Sequence, residues 1–187
     1  MTKTKLNALL ATTAVLALAA CGGGSTSNGA ASYTSIASEG QRLIVKYQNE
    51  HFTSVSNMPT GSATYTGVAG FRSDTSNINA IIDNPTTISK AKISANFDNN
   101  TISGELTDFV DIFGERATGK VAIENGVISG NGFTATLAGS LTGYGETAPV
   151  LGNLSAGFVG PNAEAVYGEM SGNVMGEPTF GALLAER

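Results

Sequence analysis

The chain has 187 residues, 15 acidic against 10 basic side chains, a formal net charge of −5 and glycine at 24 positions. A single cysteine excludes an internal disulfide or a thiolate metal cage, and an acidic chain without Lys/Arg clusters is a poor match for nucleic acid. The length suits one domain with one core.

At the start, Lys3 and Lys5 precede an apolar run that ends in Leu18-Ala19-Ala20-Cys21, followed by Gly22-Gly23-Gly24-Ser25. At about 15 residues the run is too short to span a bilayer and reads as a cleaved signal. Small residues directly before a cysteine are the layout of a bacterial lipoprotein signal. The Cys21 thiolate would take a diacylglyceryl group, and further acylation gives two or three chains. Each buried CH₂ is worth about 0.8 kcal/mol, which makes the anchor stable. The expectation is a signal at 1–20, a lipidated cysteine and flexible tether at 21–33, a helical lead at 34–58 and a β-barrel at 59–187. Gly22 is not the Asp used for inner-membrane retention in some bacteria. That favours the outer membrane, and the cell surface is the preferred side.

Residues 34–51 read as a helix. Ser38 and Gln41 have capping-box spacing, and Ile36, Leu43, Ile44 and Tyr47 share a face. Pro59 and Gly61 break the chain. From residue 62 the period is two. Tyr65, Gly67 and Ala69 alternate with Thr66 and Val68; Ala91, Ile93 and Ala95 alternate with Lys92 and Ser94. The same pattern recurs around Ile102–Leu106, Val121–Ile123, Phe133–Leu141, Leu154–Phe158, Val166–Val174 and Phe180–Leu184. In the last of these, Phe180, Ala182 and Leu184 form the apolar face. This predicts eight half-buried strands. Asp98-Asn99-Asn100 and Asn125-Gly126 read as tight hairpin turns, and no crossover helix separates the strands. The expected fold is all-β: an eight-stranded antiparallel up-and-down barrel preceded by a short helix, with a sandwich as runner-up.

In such a meander the connections alternate between the two ends. The turns at 98–100, 125–126 and 160–163 would share one end. The connections at 73–87, 109–116, 142–149 and 174–177 would share the other, three of them long. A loop-rich end is where a barrel usually binds. Its candidate ligand-binding residues are Ile81, Ile82, Phe113, Tyr144 and Met175; the plainer alternative is that these side chains fold back and plug the barrel.

The segment Gly157-Phe158-Val159-Gly160-Pro161-Asn162-Ala163-Glu164-Ala165-Val166-Tyr167-Gly168-Glu169-Met170, with Phe180-Gly181-Ala182 after it, resembles the end of the barrel domain of transferrin-binding protein B. The resemblance extends over 62–187 and is firmest over 155–183. It includes Tyr65-Thr66-Gly67 and the hairpin from Asn99 to Gly104. Factor H-binding protein and haemophilin-type haem carriers have similar barrels. Tyr167-Gly168 stands where the family often has Gly-Gly, and this chain has one barrel and no handle domain, so no transferrin-contact residue is carried over. Gly160, Pro161, Asn162, Ala163 and Glu164 read as a structural turn.

No catalytic constellation emerges. His51 is the only histidine, there is no Gly-x-Ser-x-Gly elbow, and no metal-ligand spacing exists. His51 reads as a residue at the helix C-terminus; haem held by His51 or by a loop Tyr or Met is the one cofactor the resemblance leaves open. Asp108 and Asp111 are a weak calcium pair and read as solvated loop charges. The leading expectation is therefore a monomeric, non-catalytic surface lipoprotein that captures an iron carrier, haem or a host protein. A periplasm-facing structural lipoprotein is the alternative. A membrane-spanning barrel fits less well, because the outward face is Thr, Ser, Lys and Asn.

Overall fold

The computed structural model describes residues 31–187. The signal segment, Cys21 with its expected lipid, and the tether as far as residue 30 lie outside the described residues. The first element is helix α1 (Tyr33–Tyr47), capped by Ser32, whose hydroxyl accepts the Ser35 N–H at 3.1 Å. The expected cap at Ser38 falls inside the helix, and the helix ends four residues short of His51. The serine that caps is the one with an extended backbone. Ile36, Gly40, Leu43 and Tyr47 form its buried stripe.

Eight strands follow. They are β1 (Ser62–Arg72), β2 (Thr87–Asn96), β3 (Thr101–Asp111), β4 (Arg116–Ser129), β5 (Gly132–Gly143), β6 (Glu146–Val159), β7 (Ala165–Val174) and β8 (Glu177–Glu186). Each pairs antiparallel with the next, and β8 returns to β1, with Thr66 opposite Glu186 and Arg72 opposite Phe180. The sheet is thus a closed eight-stranded barrel, as the alternation implies. A second helix, α2 (Ile78–Asp83), lies in the β1–β2 connection. No helix among the described residues is long and apolar enough to cross a membrane.

Two expectations about the connections are corrected. Asn125-Gly126 is not a hairpin turn: it lies within β4, where the register against β5 slips between Glu124 and Val127. Asn125 has φ 53°, the left-handed conformation that a bulge uses as readily as a turn does. The β4–β5 turn is Gly130-Asn131 instead. The connections expected to be long at 109–116 and 142–149 are short. β3 continues through a bulge at Asp108 (φ 55°), and Tyr144-Gly145 and Met175-Gly176 alone join their strands. Only the α2 connection is extended.

The barrel interior holds one continuous apolar core. At the end formed by the β2–β3, β4–β5 and β6–β7 connections, here the floor, Phe158 packs against Phe133, Phe97 and Tyr65 with ring centroids 5.2–5.9 Å apart. The opposite end is the mouth. Outside the barrel, α1 runs from mouth to floor. Ile36 packs with Ile88 and Val110 near the mouth, and Leu43 and Tyr47 pack with Val159 and Ala165 near the floor. α2 rests beside it over β1 and β8. This cover explains a third correction. In β8, Phe180, Ala182 and Leu184 face outward under or beside the helices, while Gly181, Leu183 and Ala185 face the interior. Both faces of this strand are therefore apolar, and alternation alone cannot assign them.

Candidate functional site

The floor is sealed by the 160–164 turn. Gly160 has φ 89° and Ala163 φ 62°, and Ala163 is fully buried. The Tyr65 hydroxyl donates to the Ala163 carbonyl at 2.9 Å from inside the barrel. Thr53 Oγ1 donates to the Gly160 carbonyl at 2.6 Å from outside. Burial pushes the Tyr65 phenol up to about 12. Burial also works to raise the Glu164 carboxyl, but the Asn162 backbone N–H (2.9 Å) and side-chain amide (3.1 Å) outweigh it and hold the group below its ordinary value. Asn162 and Glu164 thus hold the turn, Gly160 and Ala163 supply its left-handed residues, and Pro161 is the residue between. His51 belongs to this end, where its carbonyl accepts the Gly160 N–H.

The mouth is built differently. A cavity of about 380 Å³ opens there, and all eight strands line it. Its wall is apolar: Phe71, Leu106, Phe109, Val121, Leu137 and Val150. Around the opening the inward positions turn polar, with Thr87, Glu146, Glu177 and Thr179. Among the described residues the one cationic side chain of the lining, Arg72, is already held. Its guanidinium donates twice to Asp74, at 2.7 Å each, and once to the Asn84 carbonyl at 2.7 Å.

Three of the five residues expected from the sequence lie on the rim. Phe113 in the β3–β4 turn, Tyr144 in the β5–β6 turn and Met175 in the β7–β8 turn are 82%, 78% and 55% exposed. The other two are elsewhere. Ile81 is buried and Ile82 half-buried on α2, in a groove against the outer wall shared with α1. None of the three rim side chains plugs the barrel. Asp111 ties the rim together. Its Oδ1 accepts the Phe113 and Glu115 N–H groups at 2.9 Å each, and its Oδ2 accepts the Tyr144 hydroxyl at 2.6 Å. That hydrogen bond pushes the Tyr144 phenol up to about 12. Burial works to raise the Asp111 carboxyl, but the Tyr144 and backbone donors overcome it and hold the group low.

The rim turns are chemically unusual. Tyr144 (φ 51°) with Gly145 (φ 80°), and Met175 (φ 55°) with Gly176 (φ 85°), have both central residues at positive φ. Such turns favour Asn or Asp in the first place, and a bulky side chain there costs backbone energy. Strain of this kind collects where a side chain is needed for function. The X-Gly pairs were visible in the sequence, but the flanking strand ends carry Thr142, Thr147 and Glu146 and give no apolar alternation to frame them.

The sequence's other candidates are placed as follows. Asp108 sits in the β3 bulge, 3.7 Å from Lys90 Nζ, and Asp111 is committed to the rim turn. Among the described residues no cluster of His, Cys, Asp or Glu could hold a metal ion. A haem at the mouth would have Tyr144, Met170 and Met175 to draw on, whereas His51 stands at the opposite end.

Comparison with known proteins supplies a family. Residues 58–187 match the family model described as the C-lobe and N-lobe beta barrels of Tf-binding protein B. Among solved structures, a transferrin-binding protein B double mutant from Haemophilus parasuis Hp5 is 19% identical, covering 73% of this chain and 28% of that one, with a TM-score of 0.46. The isotype 1 transferrin-binding protein B of serogroup B Neisseria meningitidis is 19% identical over 74% of this chain and 27% of that one, at 0.47. The N-lobe domain of the lactoferrin-binding protein B of Moraxella bovis is 19% identical over 68% and 60%, at 0.38. The chain therefore spans little more than a quarter of the two transferrin-binding proteins. No curated protein matches.

Proposed function

This chain belongs to the family of transferrin-binding protein B barrels, and from that premise we propose that it is a non-catalytic surface module which captures a host or iron-carrier protein on its rim. The observation that carries the reading is the set of Phe113, Tyr144 and Met175, all exposed at the mouth end, the first two on turns tied through Asp111 and the last two in strained conformations. Large apolar side chains grouped on a surface mark an interaction site, and aromatic residues dominate binding energy at such sites. The Leu18-Ala19-Ala20-Cys21 pattern supports a lipid anchor, which would hold the barrel at the outer membrane. The solvent-facing outer wall, with Thr134, Thr136, Asn153, Ser155 and Glu169 in a row across three strands, lacks the apolar belt of a membrane-spanning barrel.

Two measurements test this. Protease applied to intact cells should degrade the barrel while a periplasmic control survives; protection until the outer membrane is permeabilised would support the periplasm-facing structural alternative instead. Purified transferrin and lactoferrin, passed over the immobilised chain, are the probes for capture. Binding to one of them at micromolar level or tighter, weakened roughly tenfold or more by Phe113→Ser, is expected. Failure of both probes would remove iron-carrier capture.

A further inference from the structure

We propose that the mouth cavity is a binding site for one small apolar molecule that carries a cationic end, such as an aryl or alkyl amine. The inference stands apart from protein capture, since it concerns the interior beneath the rim and not the rim itself.

Volume is the first argument. An eight-stranded barrel is just wide enough either to be filled by side chains or to hold one small ligand. The floor half is filled by aromatic rings. In the mouth half, β6 carries Ala148 and β5 carries Gly143 in place of the Phe158 and Phe133 of the floor, and a cavity of about 380 Å³ remains. That volume lies within the usual range of small-molecule pockets, about 300–1,000 Å³. An apolar wall topped by a few polar groups is also how such pockets are built.

Charge is the second argument. Glu146 and Glu177 both line the opening, and among the described residues the one cationic side chain of the lining, Arg72, is occupied by Asp74 and Asn84. A carboxylate or phosphate entering this opening would meet two like charges and no free positive partner. An ammonium would meet two carboxylates at the opening while its apolar body rests on the wall below.

The test uses the full chain bearing Cys21→Ser, so that no acyl chain competes, with 1-naphthylmethylamine and 1-naphthoate as shape-matched probes. Methionine methyl resonances give the readout. Met170 lines the cavity, whereas Met58 packs at the floor and serves as an internal control. The amine should shift Met170 saturably and leave Met58 in place. The acid should bind at least about tenfold more weakly, and Glu146→Gln with Glu177→Gln should narrow that gap. Ala148→Phe, which fills the cavity, and Thr179→Phe, which narrows its opening, should each abolish the Met170 shift; the second keeps the test intact if the first does not fold. No saturable shift at millimolar amine would overturn the site. A shift that survives both Phe variants would do the same, and equal binding of amine and acid would overturn the cationic assignment.

Discussion

At the floor, Tyr65, Phe97, Phe133 and Phe158 meet ring to ring, and the Tyr65 hydroxyl reaches the turn that seals the end. At the mouth, β5 and β6 offer Gly143 and Ala148, the interior stays open, and the aromatic side chains Phe113 and Tyr144 point outward into solvent. The floor is therefore filled, whereas the mouth, walled by Phe71 and Phe109 with ring centroids 6.0 Å apart, stays open beneath exposed Phe113 and Tyr144. The contrast separates residues that hold the fold from residues that the fold holds out, and substitutions at the two ends should differ accordingly.

The largest effect is expected at the floor. Phe158 is fully buried at the centre of the aromatic group, so Phe158→Ala should cost about 3–5 kcal/mol, read as a fall in denaturant midpoint. A loss below 1 kcal/mol would mean that the floor is no better packed than the mouth. Tyr65→Phe keeps the ring and removes only the donor to the Ala163 carbonyl. Leaving that buried acceptor unpaired should cost roughly 1–3 kcal/mol, again by denaturant melt.

Next comes the clasp that holds α1 to the barrel. Glu186 accepts from Lys46 at 2.6 Å and from the Tyr47 hydroxyl at 3.1 Å, and pairs with Arg42 at 2.7 Å. The Lys46 hydrogen bond leads in holding its carboxyl at about 2, against an ordinary value of 4.5. A depressed carboxyl stabilises the fold fully above its unfolded value, and that contribution is lost as pH falls from about 4.5 to about 2. Because Arg42 and Lys46 are half exposed, solvent screening keeps the contribution small. Melting temperatures of the native chain and Glu186→Gln should differ at pH 7 and converge near pH 2. The smallest change is expected at the rim: Phe113→Ser should leave stability within about 0.5 kcal/mol while the proposed capture weakens roughly tenfold or more.

Much of this architecture was legible in the sequence. Period-two runs identify eight strands, and the absence of crossover helices makes them antiparallel neighbours. Phe113, Tyr144 and Met175 were readable as one end because a meander fixes which connections share a side. What escaped has physical causes. Asn125-Gly126 suits a bulge and a turn equally, and only the pairing partner distinguishes them. Asp108 bends a strand that sequence alone ends early. Glu146 and Glu177 face the opening, so the strand ends around them look like loop. Ile81 and Ile82 look like rim residues until α2 is seen lying against the outer wall, and the same cover makes Phe180, Ala182 and Leu184 resemble an interior face.

Barrel closure joins the first strand to the last, and Glu186, one residue before Arg187, is also the residue that fastens α1, 140 positions away from Lys46. During synthesis, then, neither the seam nor the clasp can form until β8 has been made. Contacts of such sequence separation carry a large loop-closure cost and slow the search for the native state. The newly made chain passes through a stage in which β1 and β7 are both bare edges, and bare edges are open to pairing with other chains. Strand β8 is therefore the timing element of the barrel: it decides when a sticky open sheet becomes an edgeless one.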